Sequence, residues 1–405
     1  MQKINLMRST ITIILVCLCG LCLLWPGKTA VADAAADFSQ ADGGLEMVTT
    51  EADFIVRGEV IDATARWLPD RSAIVSDSRI RPHYMILGHT AILDEVVRPI
   101  TVTLPGGAIE SEEIAMVQSH VEWMRPGQQV ILFLDEAEDG YRLVGEAYGR
   151  YILHDEGVQV SPLAEERTRA DLYTTGGQIA AAQGKSLDLP ADWAARESEV
   201  RAAGVLAPSD FVDTGQRWAG DSPVIDFYIN VNTTQAGGND GSAAEFLDNI
   251  EQASYTWSRI GDASISLRPL GSHNATTTAY NQFNEIVFSD DLGEGVLGMA
   301  RVWYNPSTNI IAEADMAINT NYDFDATGTP DRDESDLQSV VLHEMGHWLS
   351  LGHDDDPASV MYPSLTTGTV KRELHPNDIE GVSTIYPCQS APCIREWVPL
   401  LPVDT

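Results

Sequence analysis

Residues Val340–Pro363 read VVLHEMGHWLSLGHDDDPASVMYP, and the reading of the whole chain turns on them. His343, Glu344 and His347 form an HExxH run, His353 follows six residues later, and Met361 eight residues after that. On a helix, positions i and i+4 lie one turn apart on one face. His343 and His347 can therefore offer two imidazoles to one zinc ion, with Glu344 beside them as general base. At about 100° per residue, Leu337, Val341, Met345 and Trp348 share one arc and the two histidines point away from it. One face is set to pack on a sheet and the other to look into a cleft. Ser335 with Gln338 reads as a capping box at the helix start. Gly352 reads as the left-handed residue that ends the helix and turns the chain so that His353 supplies a third nitrogen.

Three neutral imidazoles leave a fourth position for water, and zinc lowers the pKa of such a water to about 7. Glu344 is placed to take the water proton and pass it to a leaving amine. Removing a base of this kind costs about 10²- to 10⁴-fold in rate. The reaction class is metal-assisted hydrolysis of a peptide bond, with one catalytic Zn²⁺.

The run His343-Glu344-x-x-His347, then His353 and Met361-Tyr362-Pro363, resembles the metzincin zinc peptidases and among them the matrixins. The resemblance covers about 223–387. It implies an α/β (α+β) domain with a mixed twisted sheet and an active-site helix. It also implies an extended substrate adding by main-chain hydrogen bonds to an edge strand, placed at Leu297–Tyr304. Met361 would be the methionine beneath the metal, and Tyr362 and Pro363 would begin the pocket wall. Ser350 stands where the family has Gly or Asn, and Asp354 follows the third histidine where matrixins have Ser. No cysteine precedes this region apart from Cys17, Cys19 and Cys22, so latency through a cysteine is excluded once those are removed. His273 alone does not make a second zinc site.

Outward from this stretch, the 405 residues divide into segments. Residues 1–32 read as a signal peptide: Lys3 and Arg8, an apolar run from Ile11 to Trp25, then Ala30-Val31-Ala32 as a cleavage site. Residues 46–164 carry short alternating runs such as Phe54–Val60, Ile100–Leu104 and Val130–Leu134, broken at Pro105-Gly106-Gly107 and Pro126-Gly127, and read as a small all-β domain. His83, His89, His120 and His154 are scattered through it and read as surface or strand histidines. Residues 165–220 form a connector with one helix near Asp192–Ala203, and Trp218–Asp221 is a turn leading out of it. Residues 221–388 hold the peptidase-like domain and 389–405 a tail. In the domain, Phe246, Ile250, Ala253 and Trp257 mark one helix face. Cys388 and Cys393 read as one small-loop disulfide.

The formal charge of −35, −38 without the first 32 residues, excludes nucleic acid and anionic lipid as partners. With a leader and no other spanning segment, the reading is a secreted protein with no stable membrane insertion, acting on protein or peptide substrates. Asp323, Asp325, Thr327, Asp331 and Glu334, around Gly328, fit the spacing of a calcium loop, against which stands an acidic connector into the helix. Asp354–Asp356 read as a solvated or capping run, His375 as a surface residue, and Asn232 and Asn274 head N-x-T sequons. The rival functional reading is a catalytically silent metal-binding scaffold in a secreted binding or adhesion protein whose β domain carries the function. It has to explain why Glu344 is kept.

Overall fold

A computed structural model describes residues 52–87, 90–93, 99–121, 123–137, 140–144, 149–154, 157–160, 211–230, 240–293 and 295–388. The leader, the helix expected near 192–203, Asn232, Cys393 and the tail lie outside these residues. Among the described residues no helix is long and apolar enough to cross a membrane.

The first strands are long and antiparallel. β1 (Phe54–Trp67), β2 (Ile74–Leu87), β3 (Thr90–Leu93) and β4 (Ile100–Pro105) precede β5 (Gly107–Ile109) and β6 (Ile114–Gln118). Then come β7 (Gln129–Ala137), β8 (Gly140–Leu143), β9 (Arg150–His154) and β10 (Gly157–Val160). One sheet runs β1-β2-β4-β8-β7-β9-β10, with β3 on β2, and an added β1–β7 pairing closes five of its strands into a ring. Strand alternation explains the packing: β4 buries Ile100, Val102 and Leu104 on one face, where they meet Val56, Val60, Ile80, Val130 and Leu132.

The second sheet comes from β11 (Val224–Ile229), β12 (Ser266–Ser272), β13 (Asn284–Ser289), β14 (Gly298–Asn305) and β15 (Ile310–Asn319). Its order is β12-β11-β13-β15-β14-β6-β5. β11, β12, β13 and β15 run parallel, whereas β14 is antiparallel to β15. This corrects two expectations from the sequence. Residues 107–118, grouped there with the N-terminal β segment, belong to the sheet of the peptidase-like half. β14, expected as an open edge, is covered on its outer side by β6. The register is Arg301↔Gln118, Val302↔Val117, Trp303↔Met116 and Tyr304↔Ala115. The physical reason is burial: Ala115, Met116 and Ile114 are inaccessible, the latter two against Trp303, Ile74 and Ala73, so the strand is held from both sides.

Three helices follow, with two minor strands, β16 (Phe324–Asp325) and β17 (Ser335–Asp336), paired before the second helix. α1 (Ala243–Ser258) starts at a capping box made by Ser242 and Glu245 and buries Phe246, Ile250, Ala253 and Trp257. α2 (Leu337–Trp348) carries the HExxH run, and Leu337, Val341, Met345 and Trp348 are all wholly buried. α3 (Pro376–Ile385) is capped by His375 and Asp378. Three indoles anchor α2. Trp257 Nε1 donates to Leu342 O (2.8 Å), Trp348 Nε1 to Asp315 O (3.0 Å), and Trp218 Nε1 to Trp348 O (2.8 Å).

Both ends of α2 differ from the sequence reading. The N-cap is Asp336, whose carboxylate accepts from Ser339 N (3.0 Å), so the expected Ser335–Gln338 box is displaced by one residue. Arg372 donates to the same buried carboxylate and to Asn249, which makes an aspartate the better cap. At the other end the left-handed residue is Ser350 (φ 70°), not Gly352. Ser350 N donates to His347 O and Leu351 N to Gly346 O, which satisfies the last carbonyls. Gly352 is needed for space instead. Its N–H donates to Val212 O (2.7 Å), and a Cβ there would lie 2.7 Å from a Val212 methyl.

Candidate metal centre

α2 presents His343 and His347 on one side while its apolar face is sealed against the sheet. Each imidazole is oriented by a backbone carbonyl: His343 Nδ1 lies 2.8 Å from Val360 O, and His347 Nδ1 lies 2.8 Å from Leu351 O. Donation to those carbonyls fixes the tautomer that leaves both Nε2 atoms as acceptors, and these face each other at 3.2 Å. The turn through Ser350 brings His353 alongside, with its ring centroid 5.3 Å from His343 and 4.9 Å from His347. Burial pushes the His343 imidazole down to about 4 and that of His347 to about 3. Both are thus neutral, the state a metal ligand requires.

Met361, 2 % exposed, packs against α2 at Gly346. A Cβ on Gly346 would fall 2.2 Å from Met361 Sδ, so only a glycine in this turn of α2 lets the methionine pack there. The turn is held by Asp378 of α3, a buried residue whose carboxylate accepts from Val360 N (2.9 Å), Met361 N (3.3 Å) and His375 N (2.7 Å), and from Ser359 Oγ. The sequence reading missed Asp378. Its only local signal is a cap position at the start of α3, and its real partners lie 17 to 19 residues earlier. Asp354, next to the third histidine, is buried and accepts from Asp356 N and Asn377 Nδ2. Tyr362 and Pro363 follow Met361 and are partly buried, with Lys371 Nζ 5.2 Å from the Tyr362 ring.

The largest correction concerns His120. Read from sequence as a surface or strand histidine, it sits inside the cluster with its side chain 9 % exposed. Its ring stacks on His353 at 4.7 Å and on His343 at 5.7 Å, and stands edge-on to His347 at 5.6 Å. The ligand atoms of His120, His343, His347 and His353 all lie within 4.8 Å of one another. Zn–N bonds of about 2.0–2.1 Å put tetrahedral ligand nitrogens about 3.4 Å apart; His343 and His347 Nε2 meet that spacing at 3.2 Å, and the four-imidazole set is wider. His120 Nδ1 is buried and has no hydrogen-bond partner among the described residues. Burial drives this imidazole down to about 4.

Glu344 sits against the same point, 2 % exposed. His120 Nε2 lies 3.3 Å from its Oε1, and Ser119 Oγ donates to its Oε2 at 3.2 Å. The remaining described histidines are not part of this group. His375 caps α3, and His273 pairs with Glu285. His83 and His154 lie on β2 and β9, and His89 lies outside the described residues. In the acidic loop, Asp325 accepts from the backbone of Thr327, Gly328 and Thr329 and from the Thr327 hydroxyl, and Glu334 accepts from Asp331 N. Cys388 is disulfide-bonded.

Comparison with known proteins agrees with this geometry. The family model for matrixin, of the M10 peptidases, matches residues 272–387. Metalloendoproteinase 2-MMP of Arabidopsis thaliana is 38% identical over 94 residues, which is 23% of this chain and 25% of that protein. Metalloendoproteinase 1 of Glycine max is 44% identical over 62 residues, 15% of this chain and 20% of that protein. Interstitial collagenase B of Mus musculus is 34% identical over 68 residues, 17% of this chain and 15% of that protein. The chain thus spans a quarter or less of the length of these curated relatives. His120 falls outside the family match. Residues 272–387 of this chain are a matrixin-like domain of the M10 type.

Proposed function

We propose that this chain is a secreted zinc-dependent endopeptidase that hydrolyses peptide bonds of extracellular proteins, with Glu344 as general base. The observation that carries the reading is the convergence of three imidazoles, His343 and His347 with their tautomers fixed by carbonyls and His353 alongside, next to a buried carboxylate. His343, His347 and His353 would hold the zinc. When bound, it supplies a Lewis acid for the substrate carbonyl and a water of lowered pKa.

The protein groups do the rest. Glu344 accepts the water proton and returns it to the amine as the peptide bond breaks. Donation from the His343 and His347 Nδ1 atoms to Val360 O and Leu351 O keeps both rings from swinging. Met361, held by Asp378, keeps the floor of the site rigid. Residues 1–32, which read as a leader, support export. Calcium has less support than zinc, because Asp325 and Glu334 close the acidic loop onto its own backbone. The test is metal analysis and peptide-library cleavage on the purified protein. One zinc per chain is expected, with cleavage that a chelator and Glu344→Ala both abolish; cleavage surviving either would overturn the reading.

A further inference from the structure

His120 is delivered to the metal cluster by a strand that lies where an extended substrate would lie. β6 pairs antiparallel with β14 from Tyr304 to Arg301 and so uses the outward-facing main-chain groups of that strand. The pairing continues past the ladder. Ser119 N donates to Ala300 O (2.8 Å), and Ala300 N donates to Ser119 Oγ (2.8 Å). The chain then turns sharply. Val121 N donates to Gln118 O (3.2 Å), closing a four-residue turn with His120 third at φ 67°. A positive φ at the third position is the mark of a type II turn, where Gly is the commonest residue and a side-chain-bearing residue is uncommon. The residue held in that turn is the one whose ring enters the cluster, and its neighbour Ser119 covers the second oxygen of Glu344.

We infer that His120 is the fourth ligand of the metal centre, and that β6 with Ser119 and His120 is a built-in occupant of the substrate groove. The inference rests on the zinc-site reading above. It makes the full chain a self-closed form: the position for water is filled by imidazole, both oxygens of the general base are engaged, and the strand that would pair with substrate is already paired. Opening requires β6 to leave β14 and carry His120 away, exchanging one nitrogen ligand for water without any covalent step. No cysteine takes part, so the closure is indifferent to thiol reagents. The polarity of β6 also sets how a substrate would lie. A substrate replacing β6 runs antiparallel to β14 and reaches the cluster beyond Ala300.

The experiment uses the full chain, wild type and His120→Asn, which keeps a residue suited to the left-handed turn. Outer-shell imidazole scattering in zinc X-ray absorption should count four imidazoles for wild type, and three, with a water oxygen in the fourth place, for the variant. Acetohydroxamate, a small metal-binding probe, should bind His120→Asn at least about 10-fold more tightly than wild type, because the competent fraction of the wild type is small. Peptide cleavage should rise by at least about the same factor. If wild type already counts three imidazoles, and both proteins bind the probe and cleave equally, the inference fails while the peptidase reading stands. If neither protein takes up zinc, both readings fail. Should the variant not fold, the wild-type absorption spectrum alone decides.

Discussion

The metal cluster draws on two regions of opposite character. His343, His347 and His353 sit within one helix and its exit turn, and their order in the chain is their order in space. His120 comes from a left-handed turn after β6, 224 residues from Glu344, and nothing in its neighbours resembles a ligand motif. The first region is organised by helical periodicity, which needs only local hydrogen bonds. The second is organised by strand pairing and by the burial of Met116 and Ile114 against Trp303, contacts made only after distant segments have met. The difference separates two jobs. On the proposed reading, the local region would build a catalytic centre and the distant one would close it.

The largest way to sharpen the contrast is to remove the base in an opened site. With His120→Asn as background, Glu344→Gln should lower kcat/KM by about 10²- to 10⁴-fold while zinc content stays at one per chain. A small loss would mean that the carboxylate does not carry the proton.

Acid titration of the metal-free chain probes both regions together. His120, His343 and His347 are held below their ordinary value of 6.5 by burial, at about 4, 4 and 3. The unfolded chain therefore binds the extra protons as pH falls. Stability is present above pH 6.5 and is lost towards pH 4, by about 1.4 kcal/mol per pH unit for each imidazole. Urea unfolding of chelator-treated protein at pH 7, 6 and 5 should show this slope, and His120→Asn should reduce it by one imidazole's share. An unchanged slope would place His120 outside the buried cluster.

Three smaller changes act on the two ends of α2. Arg372→Ala leaves the buried Asp336 cap without its cation and should destabilise the fold by about 2–3 kcal/mol in chemical denaturation, less than for a fully buried pair because Arg372 is partly exposed. At the helix exit, Ser350→Gly should stabilise by about 0.5–1 kcal/mol by relieving a left-handed non-glycine residue. Gly352→Ala should instead destabilise by about 1–3 kcal/mol, because its Cβ would press on Val212. If the two glycine positions responded the other way round, the helix would end at Gly352 as its sequence suggests.

Much of the peptidase half was legible because its signals are local. The spacing of His343, His347 and His353, the buried arc of α2, and the α1 face with its four apolar residues all follow from period and turn chemistry. Cap identities were less legible. Asp336 outcompetes Ser335 because Arg372, itself held by Asn249, comes from elsewhere to meet it, and Ser350 takes the left-handed turn while Gly352 passes close to Val212.

By itself, then, the sequence determined the chemistry on offer: three imidazoles at helical and turn spacing, a carboxylate between them, and a methionine eight residues on. Only the tertiary structure decided what stands over that chemistry. A strand's partner is chosen by which buried faces fit, not by spacing along the chain, and a side chain becomes a ligand when folding removes it from water at the right place. That is why His120 reads as a surface or strand histidine in the chain, yet Gln118, Ser119 and His120 lie across β14 and Glu344 in the fold.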